Sequence, residues 1–221
     1  MSLNVLIFGA TGLCGSSFVK YAVKERALSV TTISRRKLTV SYEPEKVNSV
    51  IEENSENWSH LIPPNTDIVL SGLATTRGEA GKENFYKVDH DLNLALARAA
   101  KSQGCTTYVL VSSIGADANS MFFYLKTKGE IERDVLALNF DRTIILRPGP
   151  LVGERDKSKG LFNAIVAKLG GLLYKTSLQS LLSYPVYGDD VGKVGIKLAL
   201  DSTHSEKVQI VESKEILKLL T

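Results

Sequence analysis

Short apolar runs alternate with amphipathic stretches along this chain. Residues 5–8 form an unbroken apolar run of strand length, and Phe18, Val19, Tyr21, Ala22 and Val23 then recur at helical spacing among Lys20, Lys24 and Glu25. Residues 30–33, 47–51, 66–71, 107–111, 143–146 and 208–211 read as further strands. Between them, residues 85–101 predict one long helix with Leu92, Leu94, Leu96, Ala99 and Ala100 available for packing and Gly104 as its stop. A second helix carries Tyr124, Lys128, Ile131, Val135 and Leu138, with Asn119 or Ser120 as its cap, and a third covers residues 191–200. Trp58 and Leu61 lie on a short amphipathic segment that Pro63-Pro64 ends; Trp58 reads as a core or lid aromatic. Strands separated by helices predict an α/β fold, a Rossmann-type doubly wound parallel sheet with helices on both faces. The chain reads as one domain, 1–221, in which about 150–190 form a small C-terminal extension on the substrate side.

The link between the first strand and first helix changes the picture from fold to chemistry. Gly9-Ala10-Thr11-Gly12-Leu13-Cys14-Gly15 places three glycines between strand and helix. Gly9 and Gly12 permit a tight turn and close approach of a pyrophosphate, and Gly15 permits close packing of helix on strand. The helix N-terminus then faces the anion with its dipole. The spacing is G-x-x-G-x-x-G, one residue wider at the first step than the common dinucleotide fingerprint.

At the end of the second strand stand Ser34-Arg35-Arg36, where a dinucleotide fold selects its cofactor. Arginines in place of an acid, with no acid nearby in sequence, suit the 2′-phosphate of NADP(H); the plain alternative is two solvated surface arginines. The fourth strand runs into Gly72-Leu73-Ala74-Thr75-Thr76-Arg77-Gly78, a loop placed to border the cofactor, with Thr75, Thr76 and Arg77 as donors or, alternatively, as a plain turn.

Tyr124 and Lys128, four apart, share one helix face. An ammonium beside a phenol favours the phenolate, so Tyr124 can exchange a proton near neutral pH. Ser112 or Ser113, at the end of the preceding strand, can polarise a carbonyl while Lys128 stabilises charge and orients the cofactor ribose. Asp89, His90 and Asp91 lack a second histidine or a cysteine at ligand spacing, which argues against a metal site.

Composition narrows the classes. A formal net charge of +3 and no basic block longer than Arg35-Arg36-Lys37 give no electrostatic case for nucleic acid. Two cysteines, Cys14 and Cys105, suggest no disulfide framework, and Cys14 reads as a small packing residue. The N-terminus enters the first strand directly, which leaves no room for a cleaved presequence, and no apolar run approaches the ~20 residues of a membrane span. Residues 161–173, apolar and followed by Lys175, read as a pocket cover or as a membrane-surface helix with Lys168 toward the headgroups.

Taken together, the glycine loop, Arg35-Arg36-Lys37-Leu38, Thr75-Thr76-Arg77-Gly78, Val88-Asp89-His90-Asp91, Ser112-Ser113-Ile114-Gly115-Ala116, Tyr124 with Lys128, and Arg147-Pro148-Gly149 resemble an atypical short-chain dehydrogenase/reductase. Within that superfamily the chain is similar to the Tat-interacting-protein oxidoreductase family, in its fungal mitochondrial outer-membrane branch. The resemblance implies NADP(H) at the glycine loop and at Arg35 or Arg36, a Ser-Tyr-Lys catalytic group, and Pro148 and Gly149 near the nicotinamide. It also implies peripheral attachment to the cytosolic face of the mitochondrial outer membrane, with a cytoplasmic location as the alternative. Two functions follow: a reductase of a small-molecule carbonyl substrate, or a non-enzymatic NADPH-binding regulatory or scaffold protein.

Overall fold

A computed structural model describes residues 2–38, 43–75, 77–152, 174, 176, 179–203 and 205–220. Strand β1 (Leu3–Phe8) lies between β2 (Leu28–Ser34) and β4 (Ile68–Ser71), and β3 (Val47–Ile51) flanks β2. On the other side follow β5 (Thr107–Val111), β6 (Arg142–Arg147) and β9 (Val208–Glu212). The order β3-β2-β1-β4-β5-β6-β9 is parallel throughout. This is the Rossmann-type sheet, and its order reverses between β1 and β4, where a crevice opens beyond the carboxyl ends. Phe8 pairs with both Ile33 and Ser71, so the loops after β1, β2 and β4 leave the sheet side by side.

The apolar strands are continuous because helices bury both faces. One face is covered by α1 (Leu13–Ala22), α5 (Gly188–Leu200) and α6 (Ser213–Lys218), around Phe18, Val19, Leu146, Val191, Val194 and Ile216. Cys14 is buried in this cluster as a packing residue. The α1–α5 seam is made by small residues: a Cβ at Gly192 would overlap Ser17, and one at Gly195 would overlap the Phe18 ring. At its rim Asp189 holds Lys20 at 2.5 Å and accepts from the Tyr21 hydroxyl at 2.7 Å.

The other face carries α3 (Asn93–Ser102) and α4 (Phe123–Ala137) over Leu96, Tyr108, Ile131 and Phe140. Trp58, on the 3-10 turn Ser55–Leu61, is a core aromatic stacked on Phe8 with centroids 6.0 Å apart. A short parallel pair, β7 (Leu151–Val152) and β8 (Val186–Tyr187), stands apart from the main sheet.

Two expectations need correction. The single helix over 85–101 is three pieces: α2 (Arg77–Tyr86, interrupted at Gly81), a π-helical turn (Lys87–Leu92) and α3. Neither Asn119 nor Ser120 is the cap of α4: Phe122 holds that position, and the Ser120 hydroxyl accepts the Phe122 amide one step earlier. Thr76 and residues 161–173, with Lys168, lie outside the described residues, as do Lys175 and the side chain of Arg77. Among the described residues no helix is long and apolar enough to cross a membrane.

Candidate active site

The site grows from a junction of backbones. Gly9 adopts φ +75°, a left-handed conformation that favours glycine, and turns the chain out of β1. A Cβ at Gly9 would stand 2.6 Å from the Gly72 carbonyl, one at Gly15 would overlap the Gly9 carbonyl oxygen, and one at Gly72 would meet the Gly15 nitrogen at 2.9 Å. These three residues therefore lock the loop after β1, the start of α1 and the loop after β4 together. Gly12 differs: its added Cβ would touch only the Gly9 oxygen, at 3.3 Å, and as N-cap of α1 it supplies no side-chain hydrogen bond. Thr11, Gly12 and Leu13 thus form an uncapped helix entrance of the kind that receives a phosphate.

At the loop after β4 lies a cleft of about 500 Å³, within the range of small-ligand sites; residues 9–15 are not among its lining. Arg35 from the end of β2, Leu73, Ala74 and Thr75 from the loop after β4, and Trp58 line it. Arg36 is exposed, and its carbonyl is held by the Ser34 hydroxyl at 2.8 Å. Glu53 also lines the cleft, carried there because β3 pairs with β2 in the register Ser34–Ile51. The surroundings of Arg35 are therefore not free of acid, as the local sequence had suggested.

On the far side of the crevice stand Tyr124 and Lys128, both on α4, and the Ser112-Ser113 segment that follows β5. Gly129 lets α4 press against the backbone at Asp117–Ala118, which closes the loop between β5 and α4. Tyr124 is 39% exposed, with its ring against Phe85 at 5.6 Å. Lys128 is only 4% exposed, and its Nζ lies 2.7 Å from Asp89 Oδ1, itself 1% exposed. Burial pushes the Lys128 ammonium down; the Asp89 carboxylate, with smaller help from Tyr124 and Cys14, more than reverses this and holds it above its usual range. Asp89 Oδ2 accepts the Thr75 amide at 2.8 Å. The Ser112 hydroxyl is buried without a hydrogen-bond partner, and Asp89 Oδ1 has its ion pair but no aligned donor. Ser113 is half-buried and donates to the Ile114 carbonyl at 3.3 Å. Buried polar atoms left in this state are uncommon and each calls for an explanation, a bound ligand being one; Tyr108, Arg142, Gln179 and Gln209 carry others outside this site.

Pro148 and Gly149 lie alongside the serines, since the Pro148 carbonyl accepts the Ile114 amide and the Leu146 carbonyl accepts the Ser112 amide. The Gly149 amide donates to the buried Ser213 hydroxyl, which donates in turn to the Tyr184 carbonyl. Asp89, which the sequence offers as a discarded metal ligand and within a family motif but with no role in the site, is the residue that spacing missed. The signal was available: Phe85, Asp89, Asn93 and Ala97 recur every four residues and all are buried, so Asp89 and Asn93 are polar breaks in an apolar stripe. Asp91 lines the cleft with Glu53 and Glu56 and, with Asp134, flanks His90, under the Tyr86 ring.

The residues fit a dinucleotide: an uncapped glycine turn, a cleft beside an arginine, and a buried Ser112 hydroxyl without a partner across the crevice. Solved structures of similar fold include MoeE5 in complex with UDP-glucose and NAD, with a TM-score of 0.69 at 16% identity over 97% of this chain and 80% of that one. UDP-glucuronic acid 4-epimerase from Bacillus cereus, in complex with NAD, gives 0.70 at 16% identity over 95% and 77%. A short chain dehydrogenase family protein from Francisella tularensis gives 0.67 at 11% identity over 98% and 100%. These likenesses establish the fold. Sequence relatives reach much further: the protein called FMP52, mitochondrial, of Kluyveromyces lactis is 53% identical over 220 residues, covering 98% of both chains. Its namesake in Saccharomyces cerevisiae is 51% identical over 223 residues, covering 98% of this chain and 96% of the relative. With the HIM1 family profile matching residues 49–181 as well, the chain belongs to the HIM1 family and to the FMP52 group of proteins named as mitochondrial.

Proposed function

We propose that this protein is an NADP(H)-dependent oxidoreductase that reduces a small-molecule carbonyl, with Tyr124 as the proton donor. The observation that carries this reading is that the buried Lys128 ammonium, four residues from an accessible phenol, lies near enough to Cys14, in the first turn of α1 behind the uncapped glycine turn, to feel its charge. A bound nicotinamide nucleotide would supply the hydride. Gly12 and Leu13 would hold its pyrophosphate, and Arg35 or Arg36 the 2′-phosphate that separates NADP(H) from NAD. The NAD in similar folds supports the nicotinamide class; the two arginines favour the phosphorylated form, against the opposing charge of Glu53.

As negative charge builds on the carbonyl oxygen, Tyr124 gives it a proton, and Lys128 stabilises the phenolate left behind. Ser113, at the edge of the site, or Ser112, whose hydroxyl has no other partner, donates to the same oxygen. A mitochondrial location belongs to this reading, supported by the names of the relatives; attachment to the cytosolic face of the outer membrane is the finer part of the proposal.

The test is a titration of NADPH against NADH, then a panel of aldehydes and ketones with the preferred nucleotide, on the wild type and Tyr124→Phe. Tighter binding of NADPH and a fall of about 10²–10⁴-fold in turnover for Tyr124→Phe are expected. Turnover unchanged in that variant overturns the catalytic assignment. Nucleotide binding with no turnover on any carbonyl leaves a nucleotide-binding regulatory module instead.

A further inference from the structure

Asp89 sits on the π-helical turn, a local geometry that recurs at functional sites, and it divides one carboxylate between two elements. Oδ1 meets the Lys128 ammonium at 2.7 Å, and Oδ2 takes the Thr75 amide at 2.8 Å. One helical turn later Asn93 Nδ2 donates to the Leu73 carbonyl at 3.2 Å, and Asn93 Oδ1 accepts from the Ser71 hydroxyl at 2.6 Å. Residues 71–75 are thus anchored at both ends to one helix, and the same helix holds the Lys128 ammonium.

We propose that Asp89 is a positioning residue for the nicotinamide half of the nucleotide, fixing the Lys128 ammonium relative to the loop after β4. The inference rests on the reading of the site as a nicotinamide nucleotide site. A buried ion pair is a poor source of stability, because desolvation offsets most of the attraction and an apolar pair fills the space as well. What the pair supplies is a cation at a set point, one carboxylate away from the backbone that borders the cleft. The charged and titratable groups facing Lys128 are Asp89 from the π-helical turn, Tyr124 from its own helix and Cys14 from α1. Asp89 is the one whose other oxygen reaches the loop after β4.

The test compares NADPH with 2′,5′-ADP, which carries the phosphorylated adenosine end but no nicotinamide ribose. Affinities for both are measured on wild type, Asp89→Asn, Lys128→Met and the double variant, with thermal unfolding of each. Positioning through Lys128 predicts that Asp89→Asn weakens NADPH about tenfold, the scale of one lost charge-assisted hydrogen bond. The same variant should hold 2′,5′-ADP within about twofold, and should weaken NADPH less than about twofold further when Lys128→Met is already present. Equal weakening of both nucleotides, no weakening, or full additivity with Lys128→Met overturns the proposal. If Asp89→Asn alone does not fold, Lys128→Met against the double variant decides by the same twofold criterion. A wild type that binds 2′,5′-ADP but not NADPH overturns the positioning role alone; one that binds neither overturns the nucleotide reading and this role with it.

Discussion

The two faces of the sheet are packed by different rules. On the α1–α5 face the helices touch through glycines, the buried side chains are overwhelmingly apolar, and the ion pair Lys20–Asp189 stays at the rim with its side chains 35% and 44% exposed. On the α3–α4 face Asp89, Asn93, Thr127, Lys128 and Glu132 are buried among the hydrophobics. The first face can be explained by burial alone. The second holds ionised groups where an apolar residue would serve stability better, and that excess of polarity is what the proposed chemistry would draw on.

The sharpest way to break this contrast is at the glycine junction, where the two faces meet. Gly15→Ala drives a Cβ into the Gly9 carbonyl oxygen with only backbone to yield, so loss of the cooperative unfolding transition is expected. Gly12→Ala has only a 3.3 Å neighbour and should keep the fold while weakening nucleotide binding in a titration. Similar stability of the two variants would show that the junction is not a packing joint.

Next in size is Glu132, 5% exposed and holding Arg147 at 2.6 Å, with Glu212 as the outer partner of the same guanidinium. Glu132→Ala should destabilise by about 3 kcal/mol in a denaturant titration, near the lower limit for breaking a buried pair because Glu212 remains. A loss below about 1 kcal/mol would make this network as dispensable as a surface one.

The rim pair on the apolar face should matter least. Asp189→Asn should cost less than about 1 kcal/mol near neutral pH, as exposed pairs do. Burial pushes the Asp189 carboxyl up, but the Lys20 and Tyr21 hydrogen bonds pull harder and leave it below its ordinary 3.8. Its contribution is therefore present above that pH and is lost as pH falls through the folded value. Burial, and then Asp189, raise the Tyr21 phenol from 10.0 to about 12, so that contribution is intact below pH 10 and fades toward 12. Unfolding curves of wild type and Asp189→Asn should stay a constant distance apart between about pH 4 and 10 and converge on either side.

How much of this was legible in the sequence follows from range. The run 107–111 has the same bounds as β5, because a strand buried on both faces writes itself as a near-continuous apolar run; 47–51 matches β3 although Asn48 and Ser49 interrupt it, as an exposed edge strand allows. Tyr124 and Lys128 were legible because four residues is one helical turn. The π-helical turn was not, since it differs from an α-helix by one backbone hydrogen-bond step that residue type barely records. Nor were the approach of Glu53 to Arg35 or of Asp89 to Lys128, which strand register and helix packing create between residues remote in sequence.

The seam between α1 and α5 has a consequence for how the chain is made. Leu13, at the mouth of the phosphate turn, has Gly188 against it, and Ser17 has Gly192. During synthesis α1 leaves the ribosome well before α5. Until α5 has followed, the small-residue seam stays open and the turn that begins α1 lacks its packing partner.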